Sequence, residues 1–360
     1  MDSLSQIVLG GAVAAAVVPA LHRRAALAAG AVLGTLPDLD SLPISLLTQD
    51  PVALMTWHRS VTHSLLVLPL VAWAIWVFFR TRGGRVAQAP RAWFWAILLA
   101  LVTHPLLDAF SVYGTQLWWP LPVRPTMWST VFIIDPLYTV WLLVACAVAW
   151  AVPRRALAQH ALVAGLALSS AYLGWSVLAK ALVDRAAVAA LAPMGLAHAP
   201  RFSVPQPFNT LLWRVVAMTP DGYVMADRSL VADRGPMRFA AHASDTAALR
   251  AVAAYPAVQR LSWFNHGFMR AQVQPGAATA GGVQSGAEGH DTLVLSDLRM
   301  GLEPDYTFNF AVATRGPGAA WQALTPPVRV PASGGAALSP DGIGALWRGV
   351  WQRIWHTPGG

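Results

Sequence analysis

Three imidazoles and four carboxylates in the first half of this 360-residue sequence are the groups able to do chemistry. Asp38 and Asp40 lie in Leu36-Pro37-Asp38-Leu39-Asp40. His58 and His63 bracket His58-Arg59-Ser60-Val61-Thr62-His63-Ser64. His104 and Asp108 end His104-Pro105-Leu106-Leu107-Asp108, and Asp135 precedes Pro136. Mixed imidazole and carboxylate ligands suit zinc, manganese or iron. Seven ligands exceed the four that one structural zinc uses, which allows two ions. Such ions lower the pKa of bound water toward about 7 and polarise an ester. A carboxylate left unligated, Asp40 or Asp135, is then the candidate general base, and Arg59 or Arg124 a phosphate clamp.

Spacing says how these groups are presented. His104 and Asp108, four apart, share one helical face and can meet one ion. His58 and His63, five apart, diverge on a regular helix, so one belongs to the turn before it. Asp38 and Asp40, two apart after a proline, suit a non-helical loop offering both carboxylates. Each piece also has a plainer reading. Asp135-Pro136 is an ordinary helix start, with Asp as N-cap and Pro in the first turn. Asp38 and Asp40 alone could terminate a helix, and His58 alone could be a surface residue. Arg59 and Arg124 could anchor to head groups, while Asp2 and Gln6 approach the cluster if the first helix starts on the outer side and otherwise cap the N-terminus. His104 and Asp108 resist this treatment, because burying both in an apolar helix is costly unless they are paired or coordinated.

The elements that must position them are apolar helices. Hydrophobic residues make up 56% of the chain and charged ones 12%, with a mean hydropathy of +0.48, which argues against a cytosolic enzyme. Four stretches are expected to cross a bilayer, Ser64–Phe79, Ala92–Phe110, Val131–Val152 and Ala156–Val183. Two weaker ones, Ile7–Leu21 and Ala25–Leu36, are rich in the small residues that let helices pack closely. The chain opens Met1-Asp2-Ser3-Leu4, without the basic start of a signal peptide, so the N-terminus is expected to remain.

The net charge of +8 is carried almost wholly by Arg. Three loops hold the arginines, at His22-Arg23-Arg24, Arg80 to Arg91, and Arg154-Arg155, and these are expected on the cytoplasmic side. Counting through the spans places all seven candidate ligands at one, extracytoplasmic, end of the bundle. The loop-charge argument does not use those residues, so the coincidence is informative. Trp118 and Trp119 then fall in the interfacial aromatic belt. Basic loops facing anionic lipid account for the charge better than nucleic acid does. Cys146 is the one cysteine, so neither a disulfide framework nor a thiolate metal cage is available.

After Val183 turn formers and short strand-like runs take over. Thr210–Thr219 and Tyr223–Leu230 read as a hairpin, Met237–Ala241 as a strand, Asp245–Tyr255 as a helix, and Thr292–Asp297 and Tyr306–Thr314 as further strands. Gln274–Gly289 reads as a flexible loop and Pro326–Pro340 as a linker-like tail. Ile343–Trp355 reads as an amphipathic helix resting on the membrane surface or on its own domain.

The stretches Met1-Asp2-Ser3-Leu4-Ser5-Gln6, Leu36 to Asp40, His58 to Ser64, and His104 to Asp108 through Tyr113-Gly114 to Trp119-Pro120 resemble the YdjM-like family of inner-membrane metal-dependent hydrolases. The resemblance covers about the first half of the chain. Pro207 to Arg214 and Asp297 to Gly301 resemble the extension of longer members. That family is distantly similar to zinc-dependent phospholipase C-like helical hydrolases, a likeness that implies phosphoester chemistry and leaves the substrate open.

The expected fold is therefore an all-α multi-pass membrane bundle over residues 1–183, followed by a small α+β domain over 184–360. The expected location is the bacterial inner membrane, with the C-terminal domain extracytoplasmic. The expected activity is metal-dependent hydrolysis of a lipid or lipid-linked phosphoester. The ligands would be Asp38, Asp40, His58, His63, His104, Asp108 and Asp135, the cofactor Zn2+, Mn2+ or Fe2+, and the partner the membrane lipid. Two rivals remain. An ion or proton transporter would need polar residues continuing toward the cytoplasmic end, where His160 and Lys180 are the exceptions to an apolar sequence. A metal-stabilised anchor for an extracytoplasmic binding domain would need metal for folding and show no turnover.

Overall fold

The computed structural model describes residues 1–276, 289–331 and 340–357. The chain divides into two compact units. One comprises Met1–Ile44, His58–Ala181 and Pro205–Thr210, and the other Ser45–Trp57, Leu182–Val204 and Leu211–Gly360.

In chain order the helices of the N-terminal half are α1 (Ser3–Val17), α2 (Arg23–Thr35), α3 (Ser41–Leu47), α4 (Pro51–Trp57), α5 (Leu68–Thr81), α6 (Gly84–Gln88), α7 (Pro90–Ala109), α8 (Pro136–Ala151) and α9 (Ala156–Leu191). Among the described residues two helices are long and apolar enough to cross a membrane, Pro90–Ala109 and Ala156–Met194. Pro51–His63 and Leu68–Thr81 qualify only together, as a broken span or re-entrant pair, while Ser3–Val17, Arg23–Thr35 and Pro136–Ala151 are shorter than the roughly 20 residues a bilayer core needs. α5 starts at Leu68 and not Ser64, because residues 61–63 form a tight 3-10 turn. α8 starts at Pro136 and not Val131, because the Asp135 side chain accepts the Leu137 and Tyr138 N–H groups and caps the helix there. α9 runs past Val183 to Leu191, since Asp184 to Leu191 is still good helix-forming sequence. It ends where Pro193 and a left-handed Gly195 stop it.

Many large apolar side chains on these helices are exposed, among them Leu70, Trp73, Leu143, Val144, Trp150, Val163 and Leu178. A water-facing bundle would bury them. At the centre α1 and α2 cross in near contact. A Cβ on Gly10 would lie 2.3 Å from the Gly30 carbonyl oxygen, and one on Gly34 2.4 Å from that of Gln6. Only glycine permits this approach, and it sets Gly34 and Gln6 beside the end of α7 that carries His104 and Asp108.

The second unit is built on two antiparallel sheets. One has the order β1 (Arg201–Pro205), β2 (Leu212–Thr219), β3 (Gly222–Ser229), β4 (Ala240–Ala243). The expected hairpin is β2–β3, in register from Leu212↔Ser229 to Thr219↔Gly222. The other sheet pairs β5 (Met269–Gln274), β6 (Asp291–Asp297), β9 (Asn309–Arg315) and β10 (Gln322–Val330), while β7 (Gly301–Leu302) and β8 (Asp305–Tyr306) form a small ribbon. The expected strand at Met237 forms at Ala240.

Two helices replace the single one expected over Asp245–Tyr255. These are α10 (Thr246–Ala251) and α11 (Pro256–Phe264), divided at Pro256, which begins α11. Most of the expected loop Gln274–Gly289 lies outside the described residues. The expected tail from Pro326 begins instead as edge strand β10, which tolerates Pro326 and Pro327 because its register shifts between Ala323 and Val328. Residues 332–339 of that tail lie outside the described residues. The final helix, α12 (Pro340–Trp355), rests on its own unit. Ile354 is buried, its carbonyl accepts the Ser229 hydroxyl, and Arg353 pairs with Asp233 at 2.6 Å.

Candidate metal centre

Three separate segments bring ligand atoms together. α7 presents His104 and Asp108 one turn apart, with His104 Nε2 3.6 Å from Asp108 Oδ2. The 3-10 turn before α5 presents His63, whose Nε2 is 3.1 Å from His104 Nε2 and 3.3 Å from Asp108 Oδ2. The end of α2 presents Asp38, whose Oδ1 lies 3.3 Å from His63 Nε2 and 3.4 Å from His104 Nε2. The four ligand atoms all lie within 4.8 Å of one another and could hold a metal ion. His63, His104 and Asp108 are fully buried and Asp38 is 27% exposed, so the cluster opens at Asp38.

Asp38 and Asp40 do not act alike. Leu36–Asp40 continues α2 as a 3-10 turn and not the expected irregular loop. At about 120° per residue, positions two apart on such a turn face different directions. Asp38 therefore enters the cluster while Asp40 turns to the His58–His63 loop. There it accepts His58 Nδ1–H at 2.7 Å, the Arg59 backbone N–H at 3.1 Å and the Thr62 hydroxyl at 2.8 Å. His58 stands at the open edge, with Nε2 3.9 Å from Asp38 Oδ1. Burial pushes the Asp40 carboxyl up; the His58 imidazole donating to it more than offsets this, so Asp40 sits below the usual carboxylate range.

The hydrogen-bond network assigns the imidazole tautomers. His104 Nδ1–H donates to the Gly34 carbonyl at 2.6 Å, which leaves Nε2 a bare lone pair. Thr62 gives its one proton to Asp40, so at 3.0 Å it can only accept from His63 Nδ1–H, and His63 Nε2 is bare as well. Asp38 Oδ1 and Asp108 Oδ2 are buried oxygens with no hydrogen-bond partner. Two imidazole lone pairs and two carboxylate oxygens thus face one another with no imidazole proton among them, and the Arg59 Nε, 3.1 Å from Asp108 Oδ2, makes no hydrogen bond to it. A cation satisfies all four at once, so the donor set fits a metal.

Arg59 is only 3% exposed and points inward, not toward lipid head groups. Its Nε lies 3.1 Å from Asp108 Oδ2, its Nη1 donates to Ser111 Oγ at 3.3 Å, and its guanidinium lies over the Tyr113 ring. Its backbone is left-handed, φ 61°, a conformation costing about 1 kcal/mol or more in a non-glycine residue. Asp40 holds that backbone from the N–H side and Gln116 from the carbonyl side. Gln6 joins the site by donating to Asp108 Oδ1 at 3.0 Å, and the Met1 amino group meets the same oxygen. Asp2 caps α1 by accepting the Ser5 N–H.

Asp135 is not brought to the cluster. One of its oxygens caps α8 and the other accepts the Tyr172 hydroxyl at 2.9 Å. Arg124 is exposed. Thr62, the Gly34 carbonyl and Ser111 were not singled out in the sequence. The threonine inside the His58–Ser64 motif was the available signal, since a hydroxyl there can bridge a carboxylate and an imidazole.

The family model described as YdjM inner membrane protein matches residues 1–183, and the chain belongs to that family. No curated protein and no solved structure matches it.

Proposed function

Given that membership, we propose that this chain is a multi-pass inner-membrane hydrolase that uses one divalent ion to cleave a lipid or lipid-linked phosphoester. The observation that carries the reading is the meeting of His63 Nε2, His104 Nε2, Asp38 Oδ1 and Asp108 Oδ2, the two oxygens accepting no hydrogen bond. Two nitrogen and two oxygen ligands suit zinc, manganese or iron, any of which could take a water as a further ligand. Bound there, the ion would lower the pKa of a water toward about 7 and polarise the scissile ester.

The protein's own groups do the rest. Asp40 orients His58 through Nδ1, leaving Nε2 at the open edge to take a proton from water and return it to the leaving oxygen. Asp40 thus acts as base through His58, while Asp135 serves α8. Arg59 balances the Asp108 charge and fixes its carboxylate. The loops around Arg23, Arg85 and Arg154 would face the cytoplasm, with the β-sheet unit outside it.

Elemental analysis of the detergent-purified protein, paired with a phosphodiester and phosphomonoester panel, tests the reading. The expected result is about one metal per chain and chelator-sensitive hydrolysis, both lost in His63→Ala. Metal-free wild-type protein, or hydrolysis unaffected by His63→Ala, overturns it.

A further inference from the structure

A groove opens between α1, α2 and α8, lined by residues that start at Ile7, just after Gln6, and reach Trp150 on α8. Ile7 and Gly11 line it from α1, Ala28 and Ala31 from α2, and Cys146 and Trp150 from α8. Its volume is about 260 Å³, below the range of pockets that enclose a whole drug-sized molecule. That is room for a stretch of one hydrocarbon chain. The lining is apolar, and exposed Ile7, Ala28 and Trp150 border it on the outside of the bundle.

One end of the groove is strongly basic. Trp150 lies under the Arg24 guanidinium, 5.8 Å from ring centroid to the guanidinium carbon, and Arg24 Nε donates to the Trp150 carbonyl at 2.8 Å. Arg23 grips the next turn, its Nη1 donating to the Pro153 carbonyl and its Nη2 to Gln159 at 2.6 Å. These contacts tie the α8–α9 turn, with exposed Arg154 and Arg155, to the start of α2. An apolar slot ending at an indole and a group of arginines is complementary to one molecule, a tail joined to an anion.

We propose that this groove is a binding site for an anionic phospholipid, one acyl chain lying between α1, α2 and α8 and the phosphate on Arg24 with Arg154 and Arg155. The site is distinct from the metal cluster and does not depend on hydrolysis. Phosphatidylcholine has the same tails without net charge, so it separates the charge contribution from that of the tail. Cys146, the single cysteine, lines the slot and reports its occupancy directly.

Native mass spectrometry of the full chain in detergent, titrated with dioleoyl phosphatidylglycerol or dioleoyl phosphatidylcholine, should show one retained phosphatidylglycerol bound about a hundredfold tighter, the combined effect of three arginines. R154Q/R155Q, which leaves the Arg24 contacts in place, should weaken phosphatidylglycerol by about fivefold per arginine and leave phosphatidylcholine unchanged. A28L should fill the slot and remove the adduct. In wild-type protein, phosphatidylglycerol should slow alkylation of Cys146 by N-ethylmaleimide more than phosphatidylcholine does, a readout that needs no variant to fold. Equal retention of the two lipids, or Cys146 alkylation indifferent to phosphatidylglycerol, overturns the proposal.

Discussion

Asp108 and Asp135 are both fully buried carboxylates in the same helical unit, yet their surroundings are opposite in kind. Asp135 is surrounded by donors, two backbone N–H groups on one oxygen and the Tyr172 hydroxyl on the other. Asp108 has donors on Oδ1, while Oδ2, with the Arg59 Nε 3.1 Å away but not hydrogen-bonded to it, faces the bare nitrogens of His63 and His104 and the partnerless Asp38 Oδ1. Burial is thus no marker of a site here. The marker is a local excess of acceptors over protons, which a buried structure tolerates only when a cation supplies the balance.

The largest effect should come from removing an acceptor. His63→Ala is expected to abolish bound metal while Asp135→Ala retains it, as elemental analysis after purification would show; equal loss from both would erase the contrast. Next, stripping the metal with a chelator should lower thermal stability. Saturating at about a hundredfold over Kd contributes about 2.7 kcal/mol, visible as a raised melting temperature in wild type and absent in His104→Gln. A smaller change, Thr62→Val, leaves every ligand in place but frees the His63 ring. Metal affinity measured by chelator competition should fall about 10- to 100-fold. Smallest, Asp135→Ala removes a helix cap and should cost about 1 kcal/mol in denaturant unfolding, with metal content unaltered.

Much of the centre could be read in the chain because its geometry is local. His104 and Asp108 are four apart on a helix, so their meeting needs only helical periodicity; the spacing of His58 and His63 puts one of them in the turn before the helix, where the structure places both. The pairing of Asp38 with Asp40 was misjudged for a local reason as well, since the proline began a 3-10 turn that splits them. The soluble unit was harder. The Pro326-Pro327 pair masked β10, because a bulged edge strand needs no N–H at those positions, and β1 and β5 are short, five and six residues, even though β5 alternates apolar and polar side chains from Met269 to Gln274.

Residue types and spacing determined that this chain is apolar, basic at defined loops, and furnished with metal-binding groups at the ends of its helices. Periodicity and composition suffice for that, because each is a property of neighbours along the chain. Only the tertiary structure decided which groups form the centre. The glycine contact of α1 with α2 sets the Gly34 carbonyl against His104, and Asp40 reaches across eighteen residues to order the His58 loop. A backbone carbonyl looks the same at every position in a sequence; its direction, and hence which imidazole nitrogen is left bare, exists only once the helices have packed.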